Sequence, residues 1–333
     1  METGRWPARL RWIIGVVLVV GLLALAAHSI DLKKFLAALA SSDWRLVALA
    51  GVIVVTVCMF ACSLRLYQLT APLPHGGRGV SFWQLTSIYF ASSAAHHLLP
   101  SPAAEVLRTV HLKRRYGYTI GALVASQLVE KVIDALGLSL EVLAVAIFGR
   151  LPPALDISLY VFAGLGVSGA AAVLIVAWRY RVAHAGRPEP QVESEPASGR
   201  LGGTRVKLRG FVKKLAEGTY LLRAPRIWLV SLLCSVINDF ANAATAGLVL
   251  AAVGIHLPIA SWFVLVLVAR MAGLLPSTPG QFGVIEAGLV VALAAFGIGS
   301  NRALAVAVLY HVAHFIPVVA VGLVELRRQW QET

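Results

Sequence analysis

Charge is what this sequence has least of. Only 14% of its 333 residues are Asp, Glu, Lys or Arg, while 58% are hydrophobic, and the mean hydropathy is +0.78. Soluble domains carry about a quarter of their residues charged, so a soluble globular fold is excluded. Acidic residues are scarcer still, 16 against 29 basic, leaving a formal surplus of +13. Cysteine is nearly absent. Cys58, Cys62 and Cys234 all lie inside apolar runs, so no disulfide framework or metal site is predicted and the three read as packing residues. The alternation of barrel strands is missing, and no nucleic-acid motif accompanies the positive charge. DxD, HxxxxD and HExxH are also absent, which argues against a lipid-modifying membrane enzyme.

What fills the space is long uncharged runs. Leu46 to Leu64, Ile157 to Trp178 and Ala303 to Val324 carry no Asp, Glu, Lys or Arg, and the run from Ile227 to Ala269 carries only Asp239. Crossing a bilayer takes roughly 20 mainly apolar residues. Spans are therefore predicted at about 12–30, 46–64, 120–148, 157–178, 227–250 and 302–324, the first an uncleaved span rather than a signal peptide. Basic residues order them: Arg5, Arg9 and Arg11, then Arg65 and Arg78, then HLKRRYGY (111–118), then Arg327 and Arg328. Placing each of these groups inside puts both termini in the cytoplasm. Residues 179–226 hold eleven Lys and Arg against four Glu, as expected of a cytoplasmic linker near anionic headgroups. Within it, 183–204 is predicted to be disordered, and 206–222 has the spacing of an amphipathic helix, either on the inner leaflet or in solvent.

Two stretches resemble each other. LLPSPAAEVLR (98–108) and LLPSTPGQFGVIE (274–286) each end an apolar helix, break at proline and open a short helix that carries a glutamate. The breaks are Pro100 and Pro102 in the first, and Pro276, Pro279, Gly280 and Gly283 in the second. Span, broken hairpin, span thus occurs twice, over about 46–148 and about 227–324. By charge, one hairpin falls on the cytoplasmic side and the other outside. The fold class expected is an all-α polytopic membrane protein, one membrane domain over 1–333. It would have about six transmembrane helices and two broken or re-entrant hairpins in an inverted repeat, as in many transporters. The alternative is two tight turns between ordinary helices. Short helices starting near Ala103 and Gly283 would aim positive dipole ends inward, toward an anionic group.

Ionisable residues within the spans are costly and mark polar pathways. In span three, Gln127, Glu130, Lys131, Asp134 and Glu141 share one helical face. Arg108 and Arg270 are the expected partners and headgroup contacts, with Glu105, Glu130, Asp134 and Glu286 pairing with them or taking protons. Asn238, Asp239 and Asn242 occupy span five; Tyr310, His311 and His314 occupy span six. The alternative for the stripe is a structural ion-pair network. His96-His97 and His311/His314 read as hydrogen-bonded histidines rather than metal ligands.

At these residues the chain resembles the lysylphosphatidylglycerol synthase transmembrane-region, or flippase-like, family of bacterial membrane proteins. The family pattern PxxxGExxR falls on Pro100, Glu105 and Arg108; ER/EK-xxD falls on Glu130, Lys131 and Asp134; PGGxGxxE falls on Pro279, Gly280, Gly283 and Glu286. Ala104, Gln281 and Ile285 depart from it. The resemblance implies lipid translocation in the bacterial cytoplasmic membrane without the namesake's soluble aminoacyltransferase domain, and with neither enzymatic activity nor cofactor. Partners would be membrane lipids: anionic phospholipids, aminoacylated lipids, polyprenyl-linked lipids or hopanoids. The alternative is a non-transporting partner or regulator of a lipid-synthesis enzyme.

Overall fold

The structure, a computed structural model, describes residues 31–73, 75–77, 79–99, 103–148, 225–273 and 279–331, with a few isolated positions between 164 and 175. The predicted spans at 12–30 and 157–178, the stretches 183–204 and 206–222, and the break residues Pro100, Pro102 and Pro276 lie outside them. Among the described residues all regular elements are helices. They are α1 (Leu32–Ala40), α2 (Trp44–Thr70), α3 (Phe82–Leu98), α4 (Ala103–Tyr116), α5 (Ile120–Phe148), α6 (Pro225–Ala252), α7 (Ile259–Gly273), α8 (Val284–Ala295) and α9 (Ser300–Gln331).

Helix lengths follow from where the apolar runs stop. α2, α6 and α9 are long and apolar enough to cross a membrane. α5 is equally long, 29 residues, and differs in carrying four ionisable residues, Glu130, Lys131, Asp134 and Glu141. Between the long helices lie pairs of short ones, 17 and 14 residues for α3 and α4, 15 and 12 for α7 and α8. At 1.5 Å per residue these rise only about 18–26 Å, less than a hydrocarbon core of ~30 Å. The order long, short, short, long therefore occurs twice.

Packing repeats as well. α2 lies against α3, α5, α6 and α9, and α6 against α7, α9, α2 and α5. α3 packs on α9 as α7 packs on α5. α2 and α6 run antiparallel: Asp43 N–H donates to the Ala252 carbonyl at one end, Cys58 meets Asn238, and Arg65 meets Ser235 further along. Apolar residues of α6 to α9 form one core cluster with Val47 and Ala50 of α2; the second half of α2 joins α3, α4 and α5 in another. The π-helical turn Val54–Cys58 interrupts α2, and Gly51 just before it lies against Pro317, which sits inside the continuous helix α9.

One expectation changes. Span two was predicted to end at Leu64, with Arg65 at the cytoplasmic boundary; the helix runs on to Thr70 and Arg65 is only 5% exposed. Its charge is paired inside the bundle, so it is no flanking anchor. Ahead of span two, α1 starts where Asp31 caps it by accepting from the Lys33 and Lys34 N–H groups. Its Leu32 and Leu36 remain exposed.

Candidate functional site

The site is built on α5. Thr119 accepts from the Ala122 N–H at its start, and 29 residues of regular helix then carry the ionisable stripe into the bundle. Glu130 is the hub. Its Oε1 accepts from Arg65 on α2 at 3.1 Å, and its Oε2 accepts from Arg108 on α4 at 3.1 Å. All three side chains are at most 8% exposed. Arg65 also donates to Asp134 and, at 2.8 Å, to the Ser235 hydroxyl of α6. One carboxylate therefore holds two guanidiniums, and four helices meet at the network, although the Arg65 Nε stays buried without a hydrogen-bond partner. The charges themselves are paired, the condition on which buried charge is tolerated.

Beside the network opens a cavity of about 310 Å³, comparable with the smaller ligand pockets of proteins. Arg65, Arg108, Glu130 and Asp134 form its charged wall; Asn238, Asn242 and His314 face them. His314 reaches Asn242 Oδ1 at 3.0 Å through Nε2 and the Tyr310 carbonyl at 2.9 Å through Nδ1. At the rim, Glu105 lies 3.7 Å from Lys131, whose side chain is 62% exposed. Three cations and three carboxylates line the space, so its formal charge is zero. Cys58 and Cys62, expected only to pack, also line it, and the Cys62 thiol donates to Asn238 Oδ1 at 3.5 Å.

Other predicted residues lie elsewhere. Gln127 donates to the Thr109 hydroxyl at 2.9 Å, joining α5 to α4. Arg270 does not join the Glu130 network; it pairs with Asp239 on α6 and with Glu141 on α5. Nor do Glu105, Asp134 and Glu286 pair with Arg108 or Arg270, as expected from the sequence. Glu105 pairs with Lys131, Asp134 with Arg65, and Glu286 lies 2.8 Å from His311 Nδ1 on α9. The physical reason is distance along α5. Glu130 and Glu141 are eleven residues apart, about 16 Å of helix, so one arginine cannot serve both.

The second break is described from Pro279 onward. Gly280 and Gly283 have φ of 76° and 87°, and Gln281 is also left-handed at 58°. Glycine adopts this backbone freely; Gln281 does so while its amide donates to the Gly273 carbonyl at the end of α7. Glu286 folds back to accept from the Gly283 N–H at 2.6 Å, capping its own helix. Phe282 stacks on His311, their centroids 4.4 Å apart. Gly283→Ala is expected to lower stability by about 1–3 kcal/mol, the cost of forcing a side chain into this conformation. Thermal unfolding of the purified variant in detergent measures it, and an unchanged midpoint would refute the strain.

Glu105 and Glu286 occupy like positions. Each lies in the first turn of its short helix, and each meets a basic residue 25 or 26 positions later on the following long helix. The largest omission from the sequence reading was Arg65. Its position after an uncharged run imitates a membrane-flanking arginine, and only the continuation of helix-compatible residues to Thr70 hinted otherwise.

A family model described as the lysylphosphatidylglycerol synthase TM region matches residues 12–322. No curated protein matches the chain.

Proposed function

The chain belongs to the lysylphosphatidylglycerol synthase TM region family, membrane proteins related to lipid handling, and on that premise we propose that it moves lipids between leaflets. The observation that carries this reading is the cavity. A charged cavity of about 310 Å³ beside buried Glu130 and Arg108 is costly in an apolar bundle and suits a headgroup in transit, while the tails stay in lipid. The lining has no net charge. A headgroup with phosphate and ammonium could therefore exchange pair for pair with Arg108–Glu130 and Lys131–Glu105; an anionic phosphate would bind by drawing Arg108 off Glu130.

Six spans and an inverted repeat complete the proposal. Its support is the repeated long–short–short–long order, the antiparallel α2 and α6, and the paired packing. Repeat mates related by an axis in the membrane plane must run in opposite senses. The cavity touches α4 of the first hairpin but neither α7 nor α8 of the second. With the basic groups inside, this reading has the cavity facing the cytoplasm and the Phe282–His311 stack closing the outer side, with both termini cytoplasmic.

The test is headgroup exposure in liposomes reconstituted with the full-length protein, wild type against Arg108→Ala. Wild type should speed transbilayer movement of at least one lipid with a charged headgroup, and Arg108→Ala should reduce the rate at least tenfold. Rates equal to those of protein-free liposomes for anionic, aminoacylated and zwitterionic lipids alike would overturn transport and leave a non-transporting lipid-binding partner.

A further inference from the structure

A second charged group lies deeper along α5, and its charges do not balance. Among the described residues Arg270 of α7 is its one cation, held between Asp239 of α6 and Glu141 of α5. Glu141 and Asp239 side chains are 4% and 10% exposed. Glu141 uses only Oε2, at 3.3 Å from Arg270; its Oε1 is buried with no hydrogen-bond partner. Among the described residues, the other titratable groups within electrostatic reach are Tyr310 and His314 of α9 and Cys58 of α2. Tyr310 and Cys58 supply no positive charge, and His314 has its ring nitrogens on the Tyr310 carbonyl and Asn242 Oδ1 and pairs with neither carboxylate. The Glu130 cavity is balanced three to three, whereas this group carries one carboxylate too many.

Net charge in a membrane interior is among the most expensive things a protein can bury. Something of charge +1 completes the site. A hard metal cation gathers about six oxygen ligands, and the group offers little beyond Glu141 Oε1, since Asp239 Oδ2 packs against Gly137. A proton needs only one oxygen. It also removes the charge.

We propose that Glu141, with Asp239 and Arg270, is a proton-binding site that couples proton movement to lipid movement. On protonation an O–H bond forms at Oε1 with a proton given up by hydronium, which leaves as water, and Arg270 keeps Asp239 as its single charged partner. On release that bond breaks, the proton passes to a water molecule, and Arg270 must be shared between two carboxylates. The link to the cavity is one residue long. Asn238, on the cavity wall, adjoins Asp239 and lies 3.5 Å from Asp239 Oδ1 through its amide nitrogen. A change in the hold of Arg270 on Asp239 therefore reaches the wall opposite Arg108. The coupling rests on the transport reading; the proton site does not.

Two measurements on the full-length reconstituted protein separate them. Infrared difference spectra of wild type at neutral pH should show a protonated-carboxyl C=O band that is lost in Glu141→Gln and kept in Glu105→Gln. Absence of that band, or its persistence in Glu141→Gln, overturns the proton site. In liposomes carrying a pH difference, wild type should shift the leaflet distribution of its lipid by up to about tenfold per pH unit, the free energy of one proton, and Glu141→Gln should show no such shift. A distribution that ignores the pH difference overturns coupling even where the band is present. Absence of lipid movement at any pH overturns the transport reading, and the band then decides the proton site alone.

Discussion

Glu130→Ala is expected to destabilise the protein by about 3–5 kcal/mol, the usual cost of removing one partner from a buried ion pair. Arg65 and Arg108 would lose their shared carboxylate while remaining at most 8% exposed, with Asp134 left to hold Arg65 alone. The expected result is a strongly lowered unfolding midpoint and a loss of monodisperse protein after extraction. Glu130→Gln should be milder, since the amide oxygen still accepts one hydrogen bond. The quadruple variant Arg65→Met, Arg108→Met, Glu130→Leu, Asp134→Asn separates structure from function, with Asp134 neutralised because Arg65 is its charged partner. Replacing a buried charged group with uncharged residues of similar size is often neutral or stabilising, so it should recover most of the stability of wild type. It should recover none of the lipid movement. If the quadruple variant still transported, the network would be scaffolding, and the headgroup would pass elsewhere.

Gly322→Val is expected to cost about 3 kcal/mol, at the upper end of overpacking effects. A Cβ at position 322 would lie 2.5 Å from the Phe90 carbonyl oxygen of α3 and closer still to Ala94 Cβ. Backbone cannot rotate aside as a long side chain can, so α9 and α3 must separate. Small residues serve this purpose widely in membrane helices, where close backbone approach replaces the hydrophobic drive. The consequence extends to the cavity, because Tyr89, Ser92, Ser93 and His96 of α3 line it. A lowered unfolding midpoint together with slower lipid movement is the expected outcome. A midpoint within experimental error of wild type would show that α3 and α9 do not approach this closely.

Substantial parts of this architecture were legible in the sequence, for a definite reason. Hydrocarbon demands long apolar helices, and this requirement acts on each segment separately, so the long helices could be read without knowing their neighbours. α5 at Ile120–Phe148 and α6 at Pro225–Ala252 fall close to the expected 120–148 and 227–250. Proline and glycine likewise act locally. α4 begins at Ala103 and α8 just after Gly283, because a proline break ends one helix and the next can start only beyond it. The stripe on α5 was legible too, since helical periodicity puts Glu130 and Asp134 on one face whatever packs there.

Partnership was not legible. Arg65 and Glu130 are 65 positions apart and Arg270 and Glu141 are 129 apart; no local rule connects them. From the sequence, Arg108 and Arg270 were equivalent candidates for one polar pathway. The structure divides them, because charges on one helix face spread along its axis and each is served by the neighbour that crosses at its own height. α2 and α4 cross at Glu130, and α6 and α7 cross at Glu141. Composition and periodicity thus determined that the chain is helical and a membrane protein, and that α5 carries charge inward. Only tertiary packing decided which charges meet, that one group is neutral and open to a cavity, and that the other keeps an unpaired carboxylate oxygen. Ion pairing depends on distances of a few ångströms between segments remote in sequence, and those distances exist only once the helices have crossed.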